Sequence, residues 1–252
     1  MRAYGGSAVR RRRRVRWAAL VLALPAAIVP AVGAALWTGT PGVADAGQRV
    51  RALEAAHHVT DRDTPVPPRF AAALVAAEDA RFYAHPGVDG IGLAHAAWRA
   101  LTAPGRDPGG STLDQQLAKQ LYDGGRSGGG PLVVAREATL AVKLDATYSK
   151  PRILRMYASV AYFGNGDYGL HAARRGYFGR ATGRLTWGQA ALLAGLVQAP
   201  SAYDPFRHPA AAAARERYVL SRLVAAGRLT AGQARAIAAA PVPLARGSLH
   251  QE

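Results

Sequence analysis

Glu78-Asp79-Ala80-Arg81-Phe82-Tyr83-Ala84-His85-Pro86-Gly87-Val88-Asp89, followed by Gly109-Gly110-Ser111-Thr112-Leu113-Asp114-Gln115-Gln116-Leu117-Ala118-Lys119, decides the reading of this chain. Just upstream, Phe70, Ala73, Leu74 and Ala77 recur at helical spacing behind Pro68, so a carboxylate pair emerges from the end of an apolar helix over 68–80. The Gly-Gly turn then opens a second helix over 111–122, with Ser111 placed to cap it and Asp114 standing where a capping-box acid would. Gln115, Gln116 and Lys119 occupy neighbouring positions of that helix, and Leu113, Leu117 and Leu121 lie on another face.

These residue types suit acid–base work beside an anion. A carboxylate at the end of an apolar face loses hydration, which raises its pKa above roughly 4.3. A base working near neutral pH needs that shift. The blander reading of Glu78 is a surface acid at a helix C-terminus, where the dipole disfavours negative charge. Taken alone, Phe82 reads as a packing residue, His85 as a hydrogen-bonding partner within the turn before Gly87, and Asp89 as a cap for the next helix. The Gln-Gln-Lys stripe, taken alone, reads as a solvated face.

The remaining pattern is helical. Helices are expected over 91–101, 133–148, from Pro151 with Ile153, Leu154, Tyr157 and Ala161 inward, and over 190–198. Thr186-Trp187-Gly188-Gln189 and Thr230-Ala231-Gly232-Gln233 read as capping boxes. A short helix is expected over 48–58, and 124–130 reads as a flexible loop. Alternating strand patterns are essentially missing, so the fold class is all-α.

The chain has 252 residues, no Cys and a formal net charge of +16. Half of it is apolar, enough for one domain with a real core. Disulfides and thiolate metal sites are excluded. Seven Arg fall in the first 16 residues, and the remainder still carries about +9, which points to an anionic partner. Of the three Lys, Lys119 and Lys150 fall in motifs.

The Arg cluster precedes an uncharged run from Trp17 to Trp37, roughly 30 Å long as a helix and so matched to a bilayer core. The positive-inside rule puts the tail in the cytoplasm and the domain outside. A cleaved signal peptide is the other reading of this run, and its length favours an uncleaved anchor. The adjoining span argues against nucleic acid as the partner of the Arg run. The expected organisation is a basic tail over 1–16, an anchor over 17–37, a linker over 38–64, the domain over 65–226, and a C-terminal helix and tail over 227–252.

The two quoted stretches resemble those of glycosyltransferase family 51, the peptidoglycan glycosyltransferases found in class A penicillin-binding proteins and in monofunctional transglycosylases. A third segment, Arg136-Glu137 followed by Tyr148-Ser149-Lys150, is similar too, as is Tyr162-Phe163-Gly164 further on. The chain departs from the family pattern at Val133, where an Arg is usual, and at Gln120, Arg155, Ala158, Ser159 and Gln189.

The resemblance implies a lysozyme-like, mostly helical fold and the polymerisation of lipid II into glycan strands, with inversion at the anomeric carbon. It implies Glu78 as the general base and Glu137 as the second carboxylate, which orients phosphate-binding cations or a metal. Asp79, Phe82 and His85 become site architecture. Ser111, Thr112, Gln115, Gln116, Lys119, Arg136, Lys150 and Arg152 become sugar and diphosphate contacts. No cofactor is obligatory, and a magnesium or manganese ion could assist. Implied partners are lipid II, the growing glycan chain, the membrane and other cell-wall synthesis proteins, with no nucleic acid. The expected location is the plasma membrane, single-pass, and the chain reads as monofunctional. Two rivals stand beside this: a lysozyme-like peptidoglycan hydrolase or lytic enzyme, and a non-catalytic cell-wall scaffold.

Overall fold

A computed structural model describes residues 30–59, 64–102, 110–125, 130–179 and 183–245. They fall into two compact units, one up to Pro41 and one from Gly42 onward. In the first, residues 30–39 are helical (α1). Most of the anchor expected over 17–37 lies outside the described residues, and no described helix is long and apolar enough to cross a membrane.

The second unit contains α2 (Ala46–Ala56), α3 (Pro68–Glu78), α4 (Gly90–Thr102), α5 (Leu113–Tyr122), α6 (Pro131–Thr147), α7 (Lys150–Val160), α8 (Leu170–Phe178), α9 (Trp187–Leu196), α10 (Pro209–Ala225) and α11 (Ala231–Ala239). Among the described residues there is no strand, only an isolated antiparallel bridge between Tyr162 and Tyr168. The all-α expectation is met, in keeping with a lysozyme-like domain.

Two packed groups of helices position the site. In one, α9 runs through the middle with Ala190 to Leu196 all buried, as a helix apolar on every side must be. It packs against α3 and α10, and α3 also packs on α10. In the other, α5 packs against α6 and α7, and α2 lies against α7. The groups meet where α3 ends and α5 begins: the Leu113 backbone N–H donates to Asp79 Oδ2 at 3.0 Å.

Three Thr–Gln capping boxes start α5, α9 and α11. Those at Thr186 and Thr230 fall where the sequence puts them. At α5 the cap is Thr112, not Ser111, and its box partner is Gln115, not Asp114. Thr112 has the extended backbone a cap needs, and Asp114 is held by Lys150 instead. Val43, Ala46 and Val50 are buried in the core, so part of the stretch expected as a linker belongs to the second unit.

Gly87 follows from close packing. At φ +83 its Cα faces α6 so closely that a Cβ would sit 2.4 Å from the Ala141 carbonyl oxygen. Only glycine lets this turn lie against that helix.

Candidate active site

Glu78 is the last residue of α3, and its carboxylate faces the meeting of the two groups of helices. Arg215 of α10 donates to Oε1 at 2.7 Å, with both side chains about nine-tenths buried. Gln116 of α5 approaches Oε2 through Nε2 at 3.4 Å. The Tyr157 hydroxyl of α7 donates to Gln116 Oε1 at 2.6 Å, which turns the amide N–H toward Glu78. Burial, and then the negative charge of Glu78, push the Tyr157 hydroxyl well above its ordinary pKa. The sequence suggested a carboxylate governed by desolvation alone. Here a guanidinium stands against it and favours the charged form.

One turn along α5 from Gln116 stands Lys119. Its charge acts on Glu137 of α6, whose carboxyl is raised by burial and by nearby Asp123, and lowered by Lys119. Arg136 lies 3.6 Å from Asp123. The same edge of α5 therefore runs between the two carboxylates that the motifs single out, with a polar amide at one end and a cation at the other. A carboxylate beside an acceptor and cations beside an anion are the parts needed for transfer from a phosphorylated donor.

The other expected contacts divide by place. Asp79 is buried, and both its oxygens lie within 3.0 Å of His85 Nε2. Phe82 is fully buried in the core. Asp89 caps α4 through the Gly92 N–H at 3.0 Å and pairs with Arg81. The Thr112 hydroxyl donates to the Gly87 carbonyl at 2.6 Å, and Gln115 Oε1 accepts from the Thr112 N–H. These two side chains thus hold the start of α5 against the turn after α3. Ser111 is exposed at that start. Lys150 Nζ sits between Asp114 (3.1 Å) and Asp145 (2.8 Å), 4.5 Å from the centre of the Phe82 ring. Arg152 lies over the Tyr148 ring at 5.1 Å, beside Gly47 of α2.

Asp79, His85 and Asp114 bring ligand atoms within 4.8 Å of one another, all buried. Lys150 already supplies a cation to Asp114, and the Leu113 N–H and His85 occupy Asp79, so the trio fits a hydrogen-bonded network better than an ion. Burial drives the Asp114 carboxyl up to about 6 against the pull of Lys150.

Arg215 has no counterpart in the sequence reading. It lies in an Ala-rich run with Glu216 and Arg217 and looks like a solvated helix face. Its only signal is its type, since a buried carboxylate needs a buried cation somewhere in the chain.

Residues 46–224 match the family model described as Transglycosylase. The chain is similar to penicillin-binding protein 1A of Streptococcus oralis, 39% identical over 182 residues, which is 72% of this chain and 29% of that protein. It is similar to penicillin-binding protein 1F of Bacillus subtilis, 36% identical over 169 residues, covering 67% of this chain and 23% of that protein. Penicillin-binding protein 1A of Escherichia coli is 37% identical over 169 residues, again 67% of this chain and 20% of its own length. The chain thus spans less than a third of the length of these relatives. With a matched region from α2 into α10, and with both motif carboxylates inside it, the chain belongs to the transglycosylase family, glycosyltransferase family 51.

Proposed function

We propose that this domain is a peptidoglycan glycosyltransferase that polymerises lipid II. The observation that carries the reading is the α5 edge of Gln116 and Lys119, which runs from Glu78 to Glu137. Glu78 takes the proton from the 4-hydroxyl of the acceptor sugar. That oxygen attacks the anomeric carbon of the donor, the bond from this carbon to the diphosphate oxygen breaks, and the centre inverts. Undecaprenyl diphosphate leaves with both bonding electrons, and Lys119 and Arg136 offset its charge. A magnesium or manganese ion would find carboxylates at Glu137 and Asp123, and would supply further charge neutralisation to the diphosphate. Lys150 supports the start of α5 through Asp114, whereas Arg152 lies over the Tyr148 ring beside α2.

The reading includes a lipid surface and a membrane anchor. α4 exposes Ile91, Leu93 and Trp98, and α6 begins with exposed Leu132 and Val134. Apolar side chains of this size suit the headgroup boundary. The Arg-rich start and the uncharged run to Trp37 support a cytoplasmic tail and an external domain.

Incubation of the purified protein with lipid II, followed by sizing of the product, tests the reading. Long glycan is expected. Cleavage of finished, uncrosslinked glycan with no polymerisation would leave the hydrolase. Inactivity on both substrates would leave the scaffold.

A further inference from the structure

We infer that Arg215 is the positioning residue of Glu78: it fixes the carboxylate's orientation and favours its charged form, and residue 195 is glycine so that Arg215 can reach it. The inference rests on Glu78 as the base and deepens that reading.

The path of the side chain carries the argument. Arg215 leaves α10 and crosses α9 at Gly195, where a Cβ would come within 2.9 Å of the Arg215 Cγ. Its Nε lies 3.4 Å from the Gly195 carbonyl oxygen. The guanidinium sits 4.6 Å from the Tyr218 ring centre and 5.6 Å from that of Tyr203. It ends 2.7 Å from Glu78 Oε1. A planar cation held by two aromatic faces and a carbonyl has few rotamers left, so it presents one N–H to one oxygen.

A mere staple between α10 and α3 would not need this construction. Arg222 already joins those helices through the Ala76 carbonyl at 3.2 Å. A buried ion pair is also a poor source of net stability compared with apolar packing. The pair does something an apolar contact cannot, which is to set the charge and aim of a carboxylate. The groups that face Glu78 include the Arg215 guanidinium from α10, the Tyr157 hydroxyl from α7 and the Gln116 amide from α5.

The test uses the full chain in detergent, with lipid II as substrate, across about pH 5 to 9. Wild type is compared with Arg215→Met, Arg215→Lys and Gly195→Ala. The Glu78 carboxyl is followed separately by carbon NMR of labelled Glu, with Glu78→Gln identifying its signal. In Arg215→Met, turnover should fall by at least about tenfold at neutral pH with KM little changed. The acidic limb of the rate profile and the Glu78 titration should both move up by roughly 1–3 pH units. Arg215→Lys should keep the limb near its wild-type place. Gly195→Ala should move it in the same direction as Arg215→Met, and Gly195→Ala and Arg215→Lys decide the matter if Arg215→Met does not fold. An unmoved limb and titration in a folded variant overturn the inference, and so does a rise in KM at unchanged turnover. Should wild type fail to polymerise lipid II, Glu78 loses its role as base, and the NMR titration alone still decides whether Arg215 governs it.

Discussion

Replacing Glu78 by Gln keeps the shape of the side chain and removes the charge that Arg215 faces. Polymerisation of lipid II should fall to background while circular dichroism is unchanged; a rate near wild type would remove Glu78 as base. Lys119→Ala should cut turnover by on the order of a hundred- to a thousand-fold, since one transition-state donor is worth roughly 3–4 kcal/mol. A hydrolase acting on finished glycan has no departing diphosphate and should be indifferent to that change. Asp114 gives a prediction of another kind. Its carboxyl titrates near 3.8 unfolded and about 6 folded, so the native state holds the extra proton between those values. Stability from this group is complete below pH about 4 and is lost as pH rises through about 6. Urea unfolding across that window should show the loss in wild type and a flatter curve in Asp114→Asn, and parallel curves would discard the assignment. Single residues were legible where a motif surrounded them. Glu78, Gln116, Lys119 and Glu137 could be read in that way, whereas Arg215 could not. It pairs with Glu78 from 137 positions away, and its neighbours Glu216 and Arg217 disguise it as a surface residue.

The helices themselves were legible where they carry their own start signals. Thr186 and Thr230 announce α9 and α11, because a hydroxyl followed three residues later by Gln satisfies the first free N–H groups locally. α5 shows how such local reading slips. Ser111 and Thr112 both offer a hydroxyl, and the choice between them is made by the Gly87 carbonyl, which accepts from Thr112 across the packing of α5 on the preceding turn. α8 and α10 lack a polar side-chain cap, so the boundary signals are weaker there. The same turn yields a prediction. Gly87→Ala would put a methyl group against the Ala141 carbonyl while forcing a side chain into a left-handed backbone. The two penalties together should cost on the order of 1–3 kcal/mol. The midpoint of urea unfolding measures it, and an unchanged midpoint would mean that α6 yields without cost. Turnover should fall as well, because the turn ties α6, and with it Glu137, to the end of α3.

At the level of the entire chain, the two compact units predict separable properties. The core is contained in the unit from Gly42 onward, from Val43 at its start to Ala234 in α11. Removal of residues 1–41 should therefore leave the thermal unfolding of the rest within a few degrees of the full chain. The buried contacts that hold α3, α5, α9 and α10 together are all retained. Activity should not be spared in the same way. The proposed substrate is a lipid, and tethering an enzyme to the surface that carries its substrate raises their effective concentration without any new contact. Lipid II dispersed in detergent removes that advantage, so the shortened and full chains should turn it over at similar rates. Lipid II embedded in vesicles restores it, and there the shortened chain should be slower. What attachment remains to it would come from the exposed Ile91, Leu93 and Trp98 of α4. Replacing those three by Ser in the shortened chain should then weaken sedimentation with vesicles. Equal rates in detergent and in vesicles for the shortened and full chains would show that the residues before Gly42 contribute nothing to encounter with the lipid. A collapse of thermal stability on truncation would show instead that the core depends on them.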